Sequence, residues 1–284
     1  KPVTSAPKLV SVTSSTATNV TVKWETVSGA NGYKVMRKAD GSKTWSTIGT
    51  TDTKKLSYTD KKVTCGVKYR YTVRAYRNVS KKPVLGSYNS NGLEIMTIPD
   101  RPVVMVTSSN YNKLNVSWNR SNGATGYKVY RKVVNGTYKL IRNISGGAAT
   151  GFTDTVECGT EYYYYVTAYV INNKVEYGSF DSEAVKGKAV PQTVKLGSPS
   201  TTKGQAKINW STVPGTTGYY VYSKTGNSGY KLIADVKGGN VKSYTDKNVV
   251  SGKKYTYTVK AYIICPAGYI SGGYNKTGVT ITVK

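Results

Sequence analysis

The sequence predicts an all-β protein made of three tandem antiparallel sandwiches, each of seven short strands. Three observations carry that expectation. One stretch is spelt three times: Tyr69-Arg70-Tyr71-Thr72-Val73-Arg74-Ala75-Tyr76, Tyr162-Tyr163-Tyr164-Tyr165-Val166-Thr167-Ala168-Tyr169 and Tyr255-Thr256-Tyr257-Thr258-Val259-Lys260-Ala261-Tyr262. Alternate residues run Tyr, Tyr, Val, Ala, the period of two of a strand with one buried face. The leading tyrosines stand at 69, 162 and 255, a fixed spacing of 93 residues. That exceeds the roughly 20–50 residues of a solenoid repeat and is enough for each unit to close a core of its own. No segment shows helical periodicity, which leaves short strands and turns as the building material.

The elements follow in order. After Ala6-Pro7, a first strand covers Lys8–Thr13. The second, Asn19–Trp24, sets Val20, Val22 and Trp24 on one face. A turn at Gly29–Gly32 leads into Tyr33–Lys38, and a fourth strand spans Thr44–Ile48. A short fifth strand ends at Tyr58-Thr59-Asp60, Cys65-Gly66 makes a tight turn, and the sixth strand runs to Tyr76. Beyond a polar loop, Asn78–Pro83, the last strand occupies Gly86–Ile98. The other two units repeat the plan: Trp118 and Trp210 stand for Trp24, Tyr138 and Tyr230 for Trp45, Asp154 and Asp246 for Asp60. The boundaries are 1–99, 100–190 and 191–284. The linkers Ile98-Pro99-Asp100-Arg101-Pro102 and Val190-Pro191-Gln192 are short and contain proline, so a semi-rigid array is expected.

Composition limits the chemistry. Lysine and arginine number 41 against 14 acids, a net charge of +27, divided as +12, +4 and +11 among the units. Such a field favours anionic partners, wall polymers and acidic glycans among them; it is equally what solubility alone would produce. There is no histidine, so His-based triads, general bases and imidazole metal sites are excluded. Cysteine occurs once per unit, at Cys65, Cys158 and Cys265, which fits small hydrophobes better than a disulfide framework or a zinc site. The recurring Asp60, Asp154 and Asp246 end a strand, where a carboxylate caps turn amides. Neither a paired-carboxylate site nor a phosphate-cradling loop is spelt, so no catalytic, cofactor or metal site is expected. No apolar run approaches the roughly 18 residues of a membrane span. Lys1–Thr4 carry no signal-like stretch.

The tryptophan of the second strand, the Gly32-Tyr33-Lys34-Val35 opening of the third and the turn Gly66-x-x-Tyr69-x-Tyr71-x-Val73 together resemble the fibronectin type III family, three times over. The resemblance implies immunoglobulin-like sandwiches in an extended array, with Trp24, Trp118 and Trp210 buried. It also implies a tyrosine corner at Tyr69, Tyr162 and Tyr255, whose hydroxyl bonds to the preceding loop. The usual Pro-Gly of that turn is replaced by Cys-Gly twice and Ser-Gly once. The Lys/Tyr richness resembles bacterial members in secreted or wall-attached proteins of Gram-positive type. There such units are spacers beside catalytic or carbohydrate-binding modules, or parts of adhesins, which implies an extracellular location and flanking domains.

One constellation could carry function. The sixth strands point outward Arg70, Arg74 and Tyr76, then Tyr163, Tyr165 and Tyr169, then Lys260 and Tyr262. The third strands add Lys34, Met36 and Lys38, then Lys128, Tyr130 and Lys132, then Tyr220, Tyr222 and Lys224. A shared tyrosine–lysine face suits a host protein, an anionic glycan or a cell-wall polymer; cross-strand pairing that merely stabilises the sheet is the competing reading. The loops Arg77–Gly86, Asn172–Tyr177 and Ile264–Gly273 differ most between units and are the natural place for a grafted specificity. Specific nucleic-acid binding is not expected, since charge alone gives salt-sensitive retention.

Overall fold

The computed structural model describes residues 5–172, 174–179 and 181–284. Lys1–Thr4 and Asn173, the latter inside one of the variable loops, lie outside the described residues. Among those described there are strands and turns and no helix. The first sandwich contains β1 (Leu9–Thr16), β2 (Asn19–Trp24), β3 (Gly32–Ala39), β4 (Ser46–Thr51), β5 (Ser57–Asp60), β6 (Lys68–Val79), β7 (Lys82–Leu85) and β8 (Leu93–Met96). The second contains β9 (Val104–Asn110), β10 (Lys113–Trp118), β11 (Gly126–Val133), β12 (Lys139–Ser145), β13 (Gly151–Thr155), β14 (Glu161–Asn172), β15 (Val175–Gly178) and β16 (Val185–Lys188). The third contains β17 (Ser200–Thr202), β18 (Gln205–Asn209), β19 (Gly218–Lys224), β20 (Lys231–Lys237), β21 (Ser243–Asp246), β22 (Lys254–Cys265), β23 (Gly268–Ser271) and β24 (Val279–Thr282).

In each unit a three-stranded sheet, β1-β2-β5 in the first, faces a larger one, β4-β3-β6, with β7 and β8 both on the far edge of β6. All pairings are antiparallel. These are tandem immunoglobulin-like sandwiches of the fibronectin type III arrangement. Alternation builds the core: Tyr69, Tyr71, Val73 and Ala75 of β6 turn inward against Val20, Val22 and Trp24 of β2. The Trp24 indole meets Tyr33 edge-on at 5.6 Å, and Trp118 with Tyr127 and Trp210 with Tyr219 pair at 5.3 Å with tilted rings. Three separate cores result. The turn into β6 needs glycine, because Gly66, Gly159 and Gly252 take φ of 79°, 77° and 80°. The next tyrosine then accepts a hydrogen bond from the loop: Thr64 N–H to Tyr69 at 3.0 Å, Glu157 N–H to Tyr162 at 3.4 Å and Val250 N–H to Tyr255 at 3.1 Å.

The last strand differs from the expected Gly86–Ile98. It is broken, with β7 and β8 flanking a gap, and β6 extends to Val79 before turning through Ser80 and Lys81, whose φ are 47° and 64°. Across the gap a few backbone bonds persist, Gly86 N–H to the Ala75 carbonyl at 2.9 Å among them, and side chains supplement them. Thr72 Oγ1 donates to the Asn89 carbonyl at 2.8 Å and Arg74 Nε to that of Gly86. In the second unit Ser182 and Ser179 accept from the Val166 and Ala168 amides, both at 2.9 Å.

A buried polar cluster ties the two sheets together. Tyr71 donates to Asp60 at 2.9 Å, Arg37 Nη1 lies 2.7 Å from the same oxygen, and the other carboxylate oxygen caps the Lys62 amide at 2.9 Å. Tyr164, Arg131 and Asp154 repeat the triad. In the third unit Ser223 occupies the arginine's position, opposite Tyr257, and Asp246 keeps Tyr257 and the Asn248 amide. Burial first, and the neighbouring carboxylate next, push the phenols of Tyr71, Tyr164 and Tyr257 well above their ordinary value. Each phenol therefore supports its fold fully below the unfolded value near about 10, and the support falls as pH rises beyond it. Stability is expected to drop about 1.4 kcal/mol per pH unit per phenol in that window. Melting temperatures of the wild type and of Tyr257→Phe across the alkaline range check this; an unchanged slope in the variant refutes it.

Both junctions between units use the same pieces. At the first, Ala17 N–H and Asn122 Nδ2 donate to the two oxygens of Asp100 at 2.6 and 2.8 Å, and Asn172 Nδ2, at the end of β14, donates to the Gly66 carbonyl at 2.6 Å. Val170 packs on Gly66. At the second, Gln192 Nε2 donates to the Ser109 carbonyl at 2.6 Å, Tyr111 lies against Gly215, and Gly159 meets Ile270 and Ala267 of the β22–β23 hairpin.

Candidate functional site

The solvent side of the larger sheet gathers the cationic and aromatic residues. Pairing of β3 with β6 sets Lys34 opposite Arg74, Met36 opposite Thr72 and Lys38 opposite Arg70. In the second unit Lys128 faces Thr167, Tyr130 faces Tyr165 and Lys132 faces Tyr163; in the third, Tyr220 faces Lys260 and Tyr222 faces Thr258. Two aromatics from outside these strands complete the face. One immediately precedes the fourth strand of its unit (Trp45 before β4, Tyr138 before β12, Tyr230 before β20); the other stands in the gap of the broken strand (Tyr88, Tyr274).

The arrangement recurs with the same geometry. Trp45 and Tyr88 meet edge-on at 6.3 Å and 78°, Tyr230 and Tyr274 at 6.0 Å and 78°. Over the first ring of each set lies a lysine ammonium: Lys38 over Trp45 at 4.9 Å, Lys132 over Tyr138 at 4.9 Å, Lys224 over Tyr230 at 5.0 Å. Arg74 covers Tyr88 at 5.3 Å. Such contacts are worth about 0.5–1 kcal/mol at exposed sites, and they hold the rings upright. In the third unit Tyr222, Tyr230, Thr258, Lys260 and Tyr274 line an open cleft of about 150 Å³. Burial, then the neighbouring tyrosines, raise the phenols of Tyr222 and Tyr230, so both are neutral donors at physiological pH. The second unit has Asp181 where the others have tyrosine, and Tyr165 fills the space, stacked on Tyr130 at 4.6 Å and edge-on to Tyr138 at 4.7 Å.

The accessible face is narrower than the sequence implies. Tyr169 and Tyr262 are only 5% and 0% exposed, and Met36 is buried too. The reason is a glycine at the start of the neighbouring strand. The ring of Tyr76 lies over Gly32, Tyr169 over Gly126 and Tyr262 over Gly218, so close that a β-carbon there would come within 2.5, 2.3 and 2.4 Å of it. Tyr262 also donates to Asp235 at 2.9 Å and stacks on Tyr220 at 4.5 Å. Acids occupy other members: Arg70 pairs with Glu94 at 2.6 Å, Lys128 with Glu176, and Tyr163 donates to Glu161 at 3.0 Å. Lys34 is half-buried. What remains as an aromatic cluster is Arg74 with Trp45 and Tyr88 in the first unit, all half-buried, and half-buried Lys260, Tyr222 and Tyr230 with exposed Tyr274 in the third. Sequence reasoning missed Tyr88 and Tyr274 because they fall in the gap, outside any alternating pattern. Their signal was available as two tyrosines at equivalent positions of the first and third repeats.

Among the described residues no group of three or more His, Cys, Asp or Glu side chains could hold a metal ion, and no helix is long and apolar enough to cross a membrane.

No family model matches the chain. It is similar to Exoglucanase B of Cellulomonas fimi, 28% identical over 267 residues, which is 87% of this chain and 23% of that protein. It is also similar to Amylopullulanase of Thermoanaerobacterium saccharolyticum, 40% identical over 76 residues, 26% of this chain and 6% of that one. The chain thus spans less than a quarter of the length of the curated relatives it matches. Among solved structures it is similar to the chicken CNTN1 FN1–FN3 domains, at 17% identity, 98% of this chain, 99% of that chain and a TM-score of 0.32. A two-domain fibronectin type III segment of chicken tenascin matches at 17% identity over 64% of this chain and 98% of that one, with a TM-score of 0.44.

Proposed function

We propose that the chain is a non-catalytic accessory array of an extracellular, carbohydrate-active protein of a Gram-positive type of bacterium, setting the spacing between the parts it joins. The observation that carries this reading is the extent of the match to Exoglucanase B, which runs through all three repeats of this chain yet takes up less than a quarter of that enzyme. The junctions support a spacer role, because each sandwich is held to the next by side-chain hydrogen bonding as well as by a short linker. Units 1–99, 100–190 and 191–284 act as three rods in series. Small-angle scattering of the chain is expected to give an elongated particle, and incubation with soluble glucan or starch to release no reducing sugar. A compact particle overturns the spacer; sugar release overturns the non-catalytic role.

A second reading concerns contact with an acidic glycan at the Tyr222–Tyr230–Tyr274 cleft. It is favoured by the neutral phenols beside Lys260 and by the same ring geometry in the first unit. Titration with a soluble polyuronate reads it: Tyr274→Ala should weaken binding about tenfold, equivalent to about 1.4 kcal/mol. Binding equal in the variant, or no binding at all, leaves the spacer alone.

A further inference from the structure

Two of the three cysteines, 107 residues apart, meet across the second junction. Cys158 belongs to the turn before β14, and Cys265 ends β22 in the next sandwich. The Cys265 sulfur lies 3.3 Å from the Cys158 carbonyl oxygen, and Cys265 is among the neighbours that raise the Cys158 thiol. Both are free and half-buried. The adjacent packing of Gly159 on Ile270 and Ala267 sets this approach. A disulfide bridges only cysteines that the backbone already presents at short range, and here the presentation comes from the docking of two sandwiches.

We propose that Cys158 and Cys265 are an interdomain crosslinking site, closed by exchange with a low-molecular-weight disulfide. One protein thiolate attacks a sulfur of the small disulfide, forming a mixed disulfide and expelling one small thiolate. The second protein thiolate then attacks the protein sulfur of that mixed disulfide, forming the Cys158–Cys265 bond and expelling the other. The two protons lost by the protein thiols are taken up by the two released thiolates; the protein is oxidised by two electrons and the small disulfide reduced by two. Burial pushes the Cys158 thiol up to about 11, with Lys188 opposing. Closure is therefore slow at neutral pH, and a thiol of this basicity is a poor leaving group once the bond exists. The first junction is the built-in contrast. Asn172 there stands where Cys265 stands in the second, and its amide reaches Gly66, beside Cys65.

The test incubates the full chain with oxidised glutathione in mildly alkaline buffer and counts thiols after denaturation. The count is expected to fall from the three free cysteines to one, with a non-reduced digest yielding a peptide that joins Cys158 to Cys265. Asn172→Cys should add a bridge to Cys65 at a comparable rate. Glutathione adducts without the Cys158–Cys265 peptide overturn the proposal. A bridge found only between separate molecules does the same, and failure of Asn172→Cys to bridge removes the junction geometry as its cause.

Discussion

Asp60→Ala is expected to destabilise the first sandwich by about 3 kcal/mol, because it strips the carboxylate from a phenol shielded from water and from a guanidinium that is mostly covered. Arg37 and Tyr71 both end on the same Asp60 oxygen, and the side chain of Asp60 is only 4% exposed. A unit of this size holds about 5–15 kcal/mol in all, so the loss would take a large share of it. The third sandwich supplies the control. Asp246 serves Tyr257 and a turn amide with no arginine in the cluster, and Asp246→Ala should cost about 1–3 kcal/mol, the desolvation of a stranded hydroxyl. Guanidinium unfolding followed by tryptophan fluorescence separates the two, since Trp24 and Trp45 report on the first unit and Trp210 on the third. Equal losses at the two aspartates would refute the part assigned to Arg37.

Trp118→Ala should remove about 3–5 kcal/mol from the second sandwich, the usual result of deleting a large core ring that its neighbours cannot close upon. The ring is 4% exposed and lies against Tyr127 in a core that also contains Leu114, Val116, Val129 and Val166. A finer comparison isolates the indole nitrogen. Trp118 Nε1 donates to the Ala149 carbonyl at 3.0 Å, whereas the Trp24 and Trp210 nitrogens find no acceptor among the described residues. Trp118→Phe should therefore cost about 1 kcal/mol more than Trp24→Phe, one net hydrogen bond. Circular dichroism in denaturant reads all three variants without the lost fluorophore, and the absence of any difference between the two phenylalanine variants would discount the Ala149 bond.

Much of the fold could be read from residues two apart. Tyr69, Tyr71, Val73 and Ala75 share a face because a strand allows nothing else, and the indole of Trp24 lies on the opposing layer to meet them. Alternation tells which side a residue takes, but not how deeply it sits there. Tyr169 and Tyr262 do turn to the outer side and are still buried, because the missing side chains of Gly126 and Gly218 leave a trough that a phenol ring fills. The Asp60–Tyr71–Arg37 cluster was only half legible. The turn-capping oxygen follows from local chain chemistry, while the phenol and guanidinium reach the aspartate from the other sheet. The meeting of Cys158 with Cys265 has no local signature at all, since it depends on how two finished sandwiches dock. The aromatic cleft lies between these extremes: Trp45, Tyr138 and Tyr230 recur in register, but Tyr88 and Tyr274 reach the face only because the last strand is interrupted.

That interruption bears on how the protein behaves when crowded. An outermost strand with an unbroken row of free amides and carbonyls is a template for a neighbouring molecule. Here β7 and β8 are four residues each, Pro83 removes one donor from β7, and the chain between them turns its carbonyls of Gly86 and Asn89 back to Arg74 and Thr72. Along this edge of the larger sheet a second molecule therefore finds no continuous rail to zip onto.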